Sequence, residues 1–174
     1  MIHRKIIRRK AFELLESACG LGPSVDVRAL AVFSGVKVVE EPIEKDDFSG
    51  FLFRPKDGPP VIGVKARHAV TRKRFTIAHE LGHFILHSTE EVHVDEAVLQ
   101  MRDSRASEGV YVKEIEANFF AAELLMPQDF LERDVARLDL HADDDKAIAL
   151  LAKRYVVSPQ AMAIRLSSLE LFLI

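Results

Sequence analysis

Cysteine is nearly absent from this sequence, which has one cysteine, Cys19, in 174 residues. A single cysteine excludes an intramolecular disulfide and is typical of proteins from a reducing compartment. Long apolar runs are also missing, and none approaches the roughly 20 residues that a transmembrane helix needs. The basic start MIHRKIIRRK is followed by Glu13 and Glu16, where a signal peptide requires an uninterrupted apolar stretch. We therefore expect a cytoplasmic protein without membrane association.

An excess of charge of one sign is lacking as well, since the net charge is -3 and the pI is about 6.2. This balance gives no general attraction to nucleic acid, so we expect no direct nucleic-acid binding. The hydrophobic content of 48% is sufficient for a packed core, and the length suits one domain. We expect a single domain over residues 1–174 that includes an N-terminal helix within residues 1–24.

The most informative stretch is TRKRFTIAHELGHFILH, residues 71–87, which contains the pattern His-Glu-x-x-His. On a helix, His79 and His83 lie one turn apart on the same face, where two imidazoles can bind one metal ion. Zinc accepts such neutral nitrogen ligands, and a catalytic zinc ion keeps one position for water. Glu80 lies between the two ligands and is predicted to act as the general base for that water. With 7 histidines and 15 glutamates in the chain, chance gives roughly 0.02 copies of this pattern.

A catalytic zinc ion needs a third protein ligand, and YVKEIEANFFAAELLM at residues 111–126 provides candidates. This stretch is rich in alanine, leucine and glutamate and predicts a helix. On that helix Glu114 and Asn118 share one face, whereas Glu116 is rotated by about 200°. The helix phase favours Glu114 as the ligand, with Asn118 hydrogen-bonded to the free nitrogen of a ligand histidine. Glu116 stays open as an alternative ligand or as a solvated carboxylate.

Further ligand or substrate-binding candidates are His87, His93, Asp95 and Tyr111. His87 lies one turn beyond His83, but three ligands along one straight helix cannot surround a single ion. His87 is therefore predicted to support the site or to lie at the surface. His93 and Asp95 belong to a polar stretch, and either His93 or Tyr111 could donate a hydrogen bond to a substrate if the geometry allowed it.

The patterns along the whole chain predict an α+β fold, in which a small three-stranded antiparallel or mixed sheet packs against a helical bundle containing the HELGH helix. Strands are predicted at 36–40, 48–54 and 61–64, and the turn-rich PKDGPP joins the last two into a hairpin. A further strand is suggested within residues 92–101.

Seven helices are predicted from apolar periodicity and capping residues. In the first helix Ile6, Ile7, Phe12, Leu14 and Leu15 are expected to face inward. Thr71 is the predicted N-cap of the HELGH helix. The helices are predicted at 3–19, from Ser24 or Asp26 to Gly35, and at 71–87, 111–126, 127–138, 143–155 and 158–169.

Three segments in this order and spacing, FSGFLFR, RKRFTIAHELGHFILH and EIEANFFAAELLMP, resemble the ImmA/IrrE family of bacterial zinc metallopeptidase domains. The resemblance covers roughly residues 25–170. It implies a compact gluzincin-like fold with zinc ligands from the HExxH helix, His79 and His83. The third implied ligand is the glutamate four residues before the asparagine of the EAN segment, which is Glu114 here.

Members of that family are implicated in cleaving helix-turn-helix repressors, in mobile-element induction and in stress response. Many carry an N-terminal DNA-binding domain of the Xre type, and this sequence resembles the stand-alone form. The resemblance therefore implies a zinc-dependent endopeptidase that cleaves a DNA-binding repressor or an antitoxin-like regulator supplied by another chain. We further expect an extended substrate to pair with the strand at 61–64 by β-addition.

Two functions without proteolysis are alternatives. The tail, residues 147–169, has a helix-turn-helix outline in which Lys153, Arg154 and Arg165 could contact phosphate. Against DNA binding, the second helix has few side chains that read bases and carries apolar residues expected in the core, namely Ala161, Met162, Ile164 and Leu166. The other alternative is a zinc-sensing module, which would have no need for Glu80 beside its ligands.

Overall fold

The computed structural model describes residues 3–18, 22–42, 48–87, 92–96, 104–138 and 144–171. The predicted α+β class is confirmed. Within the described ranges, no helix combines the length and the apolar character that crossing a bilayer requires. The elements are α1 (Arg4–Ser17), α2 (Val27–Phe33), β1 (Lys37–Glu41), β2 (Phe48–Phe53), β3 (Val61–Lys65), α3 (Val70–Leu86), β4 (Val92–Glu96), α4 (Ser104–Leu125), α5 (Gln128–Val135), α6 (Asp144–Tyr155) and α7 (Pro159–Ser168).

The strands form a mixed sheet in the order β1-β3-β2-β4. β1 runs parallel to β3, whereas β2 is antiparallel to both β3 and β4. The predicted hairpin is β2 and β3, which pair from Phe53 opposite Val61 to Gly50 opposite Val64. β4 lies within the stretch where the sequence suggested a further strand, and residues 97–101 fall outside the described ranges.

The position of β3 contradicts the prediction that a substrate pairs with the strand at 61–64. β3 is paired with β1 on one side and with β2 on the other, so its backbone groups already have partners in the sheet. The edges of the described sheet are β1 and β4. The prediction was wrong because the order of elements along a chain does not determine the order of strands in a sheet.

Capping residues explain where two of the helices begin. Asp26 precedes α2, and its carboxylate accepts hydrogen bonds from two backbone N–H groups of the first turn. Ser158 precedes α7, and its hydroxyl accepts one such bond. Thr71 is not the N-cap of the HELGH helix as predicted, because α3 begins one residue earlier, after Ala69, without a side-chain cap.

α4 ends where the sequence predicted, just before Pro127, but it begins at Ser104 rather than at Tyr111. The residues from Ser104 to Val110 are mostly polar or small and lack an apolar repeat, so periodicity could not indicate a helix there. These residues lengthen α4 by two turns at its N-terminal end, before the turn that carries Glu114.

α1 buries a narrower stripe than predicted. Ile7, Ala11 and Leu15, spaced four residues apart, are buried, whereas Ile6 and Phe12 are 44% and 41% exposed. The prediction was wrong for Ile6 and Phe12 because each lies about 100° around the helix from a member of the stripe. α1 packs on α4 through the buried stripe.

A buried ion pair connects the helices around the C-terminal end of α4. The guanidinium of Arg165 on α7 lies 2.8 Å from the Glu123 carboxylate on α4, and both side chains are buried. Arg8 on α1 reaches the other oxygen of Glu123 at 3.0 Å, and Arg165 Nε donates to the carbonyl of Met126. Burial lowers the pKa of Arg165, and the charge of Glu123 opposes that shift. Helices α1, α4 and α7 are thus held together at one carboxylate.

Replacing Arg165 by alanine is expected to lower the free energy of unfolding by about 3 kcal/mol, because Glu123 stays buried with Arg8 as its remaining cation. Arg9 is the matched control, since its pair with Glu13 is exposed and its removal should change stability by less than about 0.5 kcal/mol. Urea unfolding followed by circular dichroism measures both variants. Equal stability of Arg165→Ala and Arg9→Ala would contradict this role of the buried pair.

Candidate metal centre

Two histidines converge on the inner face of α3. His79 and His83 lie one helical turn apart, as predicted, and are 3% and 0% exposed. Their Nε2 atoms are 3.1 Å apart, and the ring centroids are 4.7 Å apart at an interplanar angle of 66°. Two imidazole nitrogens this close can bind the same cation.

Glu114 on α4 completes the cluster. Its Oε2 lies 3.3 Å from His79 Nε2, and its Oε1 lies 3.2 Å from His83 Nε2. The three candidate ligand atoms are all within 4.8 Å of one another. The structure therefore brings together the two histidines and the glutamate that the helix phase had favoured.

The chemistry of this donor set fits a zinc ion. Two imidazole nitrogens and one carboxylate oxygen are ligands that catalytic zinc ions use. Both histidines are buried, whereas the Glu114 side chain is 29% exposed, so the cluster borders solvent on its carboxylate side. A ligand set that is closed on one side and open on the other leaves a position for water.

Asn118 holds one of the two histidines in place. Its Oδ1 lies 3.0 Å from His79 Nδ1, which is the contact predicted from the spacing of Glu114 and Asn118. A carbonyl oxygen only accepts, so His79 donates from Nδ1 and keeps the lone pair of Nε2 for a cation. Glu114, a candidate ligand, and Asn118, which contacts another candidate ligand, thus lie one turn apart on the same helix.

The cluster depends on a close approach of α3 to α4. A Cβ atom at Gly82 would lie 3.1 Å from the Cα and 3.2 Å from the carbonyl oxygen of Ala117. Both residues are buried where the helices meet: Gly82 directly precedes His83, and Ala117 lies three residues after Glu114. Small residues on both helices therefore allow the carboxylate to reach the imidazoles.

Glu80 is fully buried on α3, beside β2. A Cβ atom at Gly50 on β2 would lie 3.8 Å from Glu80 Oε1, would overlap the Thr76 methyl group and would be 2.9 Å from the carbonyl oxygen of Gly63. The absence of a side chain at Gly50 thus lets β2 pass close to Thr76 on α3, one turn before the glutamate that the sequence assigned as general base.

Arg54, directly after β2, supports the site in a way that the sequence analysis missed. Its guanidinium donates to the carbonyl oxygens of His83, Phe84 and His87 at 3.0, 3.3 and 2.9 Å. A cation at the C-terminus of a helix also interacts favourably with the helix dipole. The arginine of FSGFLFR was the available signal, but its target could not be identified without the fold.

The other candidates lie outside the cluster or outside the described side chains. Glu116 contacts His87, with 3.1 Å between Oε2 and Nε2, and so is directed away from the three ligand atoms. His93 and Asp95 are on β4, whose side chains the structure does not describe. Tyr111 is an exposed residue of α4. A role of His93 or Tyr111 in substrate binding, and of His93 or Asp95 as a ligand, stays a prediction.

The chain resembles known proteins both in sequence and in fold. A family model, peptidase M78 or IrrE N-terminal-like domain, matches residues 34–167. No curated protein matches the chain. Among solved structures, a Mycobacterium tuberculosis transcriptional regulator has a similar fold, with a TM-score of 0.66 and 20% sequence identity. That match covers 94% of this chain and 46% of the regulator, so the chain spans about half of its length.

Substituting valine for Gly82 is expected to push α4 away from α3, since the added atoms meet the backbone of Ala117. We expect stability to fall by about 1–3 kcal/mol and zinc affinity to fall with it. Gly22→Val is the control, because a Cβ atom there meets nothing within 4 Å. Thermal unfolding and competition with a zinc-binding dye give the two quantities. Undiminished zinc affinity in Gly82→Val would show that the close approach is not needed.

Proposed function

Because the chain belongs to the peptidase M78 family of IrrE N-terminal-like domains, we propose that it is a zinc-dependent endopeptidase. The observation that carries the proposal is the cluster of His79, His83 and Glu114, on the helix that also holds the buried Glu80. Two histidines and a glutamate form one of the three-ligand sets of hydrolytic zinc enzymes, in which the fourth position takes water.

A zinc ion in this cluster would lower the pKa of a bound water to about 7 and polarise the peptide carbonyl. Glu80 accepts a proton from the attacking water as the water oxygen bonds to the carbonyl carbon. Glu80 then donates that proton to the leaving nitrogen as the carbon–nitrogen bond breaks.

The proposed substrate is a helix-turn-helix repressor or an antitoxin-like regulator, cleaved in the cytoplasm during a stress or mobile-element response. Membership of a peptidase family supports a protein substrate. The Mycobacterium tuberculosis protein of similar fold is a transcriptional regulator, which agrees with a link to gene expression.

The contacts of α7 argue against DNA binding through the tail. Arg165, predicted to reach phosphate, is buried against Glu123 instead. Met162 and Leu166 are in the core as expected, whereas Ile164 is 64% exposed, contrary to the prediction. Because Arg165 is buried in this ion pair, it is not available to contact a DNA phosphate.

Replacing Glu80 by glutamine is expected to lower cleavage at least about 100-fold, because the amide cannot accept the proton, while the zinc content stays the same. Purified Xre-type repressors encoded in the same genome serve as substrates, with cleavage followed by mass spectrometry and zinc by atomic emission. Glu13→Gln, on the exposed face of α1, is the control. Equal cleavage by wild type and Glu80→Gln refutes the role of Glu80, and zinc binding without cleavage of any repressor by the wild type favours the zinc-sensing alternative.

Glu114→Ala tests the third ligand. Its zinc affinity should fall by more than about 100-fold, which exceeds the usual effect of a residue that only orients a ligand. Competition with a chelator of known affinity measures the change, and Glu132→Gln on α5 is an exposed carboxylate control. Wild-type affinity in Glu114→Ala would exclude this residue from the metal site.

A further inference from the structure

A second chain of contacts runs from His83 away from the metal cluster. His83 Nε2 faces Glu114 and His79, and the opposite ring nitrogen, Nδ1, lies 3.2 Å from Nδ1 of His87. His87 Nε2 in turn lies 3.1 Å from Glu116 Oε2. His83 and His87 are buried, and Glu116 is largely so. The order of groups is therefore Glu116, His87, His83 and the candidate metal position.

The donors and acceptors along these contacts allow only one arrangement of protons, in which His83 donates to His87 and His87 donates to Glu116. A histidine that binds a metal ion through Nε2 carries its proton on Nδ1. That proton points at His87 Nδ1, which must present a lone pair, because a second proton there would face the first. His87 then carries its proton on Nε2 and donates it to the carboxylate of Glu116. Every ring nitrogen of the two histidines is used.

We propose that His87 and Glu116 are positioning residues that hold His83 in the tautomer and orientation required of a zinc ligand. Glu116 is thus neither a ligand nor a solvated carboxylate, and His87 is not a third ligand of α3. The inference rests on the proposed metal site at His79, His83 and Glu114. Hydrogen bonding from a carboxylate through an imidazole also makes the ligand nitrogen a better donor to the metal ion.

The backbone around His87 is built to hold this side chain. His87 is the first residue after α3, and its N–H still donates to the carbonyl oxygen of His83. Its own carbonyl oxygen accepts from Arg54, which also binds the carbonyl of His83. The two imidazoles are therefore fixed relative to one another by main-chain bonds as well as by the contact between their rings.

The two candidate ligand histidines, His79 and His83, therefore have different hydrogen-bond partners. His79 donates to the neutral amide oxygen of Asn118, which is an exposed residue. His83 donates to a buried imidazole that is itself bound to a carboxylate. Loss of the Glu116 chain should accordingly affect zinc binding while leaving the His79 contact intact.

The test compares three variants by competition of the purified protein with a zinc chelator at fixed pH. His87→Leu removes the acceptor of the His83 proton and is expected to lower zinc affinity about 10- to 100-fold. Glu116→Gln leaves His87 an uncharged acceptor in place of the carboxylate, and its loss of affinity is expected to be smaller than that of His87→Leu. His87→Gln can still accept the proton of His83 through its amide oxygen and should recover most of the loss. His3→Leu, at the exposed start of α1, should bind zinc as the wild type does.

Nitrogen-15 NMR of the zinc-loaded wild type gives an independent readout. It should show His83 protonated at Nδ1 and His87 protonated at Nε2, with the His87 signal shifted in Glu116→Gln. Protonation of His87 at Nδ1, or wild-type zinc affinity in His87→Leu, would overturn the inference. Equal losses of zinc affinity in His87→Leu and His87→Gln would also overturn it. A side chain that acts only through packing would give the same affinity whether or not it can accept a hydrogen bond.

Failure of this inference can be separated from failure of the proposed function. Unchanged zinc affinity in Glu114→Ala would show that His79, His83 and Glu114 do not form the proposed metal site. Loss of zinc in Glu114→Ala with no loss in His87→Leu or Glu116→Gln would leave the metal site in place and reject the positioning chain. A cooperative thermal unfolding transition, measured for each metal-free variant, shows that the compared proteins are folded.

Discussion

The contact between α3 and α4 at Gly82 and Ala117 is the constraint on which the candidate site depends. The two histidines come from one helix and the carboxylate from the other, so their distances follow directly from the separation of the helix axes. Close-packed helices have few voids to absorb a larger side chain, and a small change at the crossing is passed on to the ligands. The distances within the candidate metal cluster therefore depend on the small size of Gly82 and Ala117.

The surroundings keep this crossing in place from several directions. At the far end of α4, the buried Glu123 joins α1 and α7 through Arg8 and Arg165. At the end of α3, Arg54 binds three carbonyl oxygens of the last turn. Charge-assisted hydrogen bonds with fixed partners add geometric specificity to helix packing. These contacts thus hold α4 to α1 and α7, and the last turn of α3 to the end of β2.

Local periodicity was sufficient to predict the core of the site. The spacing of His79 and His83, and that of Glu114 and Asn118, each corresponds to one helical turn, and the structure places all four side chains in one cluster. Their roles in binding zinc and in catalysis are still predictions, as is that of Glu80. What the helix phase supplied was the relative direction of side chains within each helix.

Features that depend on distant parts of the chain could not be predicted in the same way. The carbonyl groups that Arg54 contacts are 29 to 33 residues away in the sequence. β3 is central because it pairs directly with β1, although β2 lies between them in the sequence. The stripe of α1 was predicted too wide, because a helix sequence indicates which residues are apolar but not how much of them a neighbour covers. Each of these outcomes is decided by tertiary packing, which overrides local preference.

Gly50 illustrates how a site can depend on a residue with no functional group. A Cβ atom there would overlap Thr76 and approach the carbonyl oxygen of Gly63, so every other amino acid is sterically excluded while β2 and α3 keep their spacing. In an evolving population, a codon change that alters this residue would have to be accompanied by a shift of Thr76 and of the strand backbone. Divergent descendants of this gene should therefore retain glycine in the FSGFLFR segment even where the apolar residues around it have been exchanged.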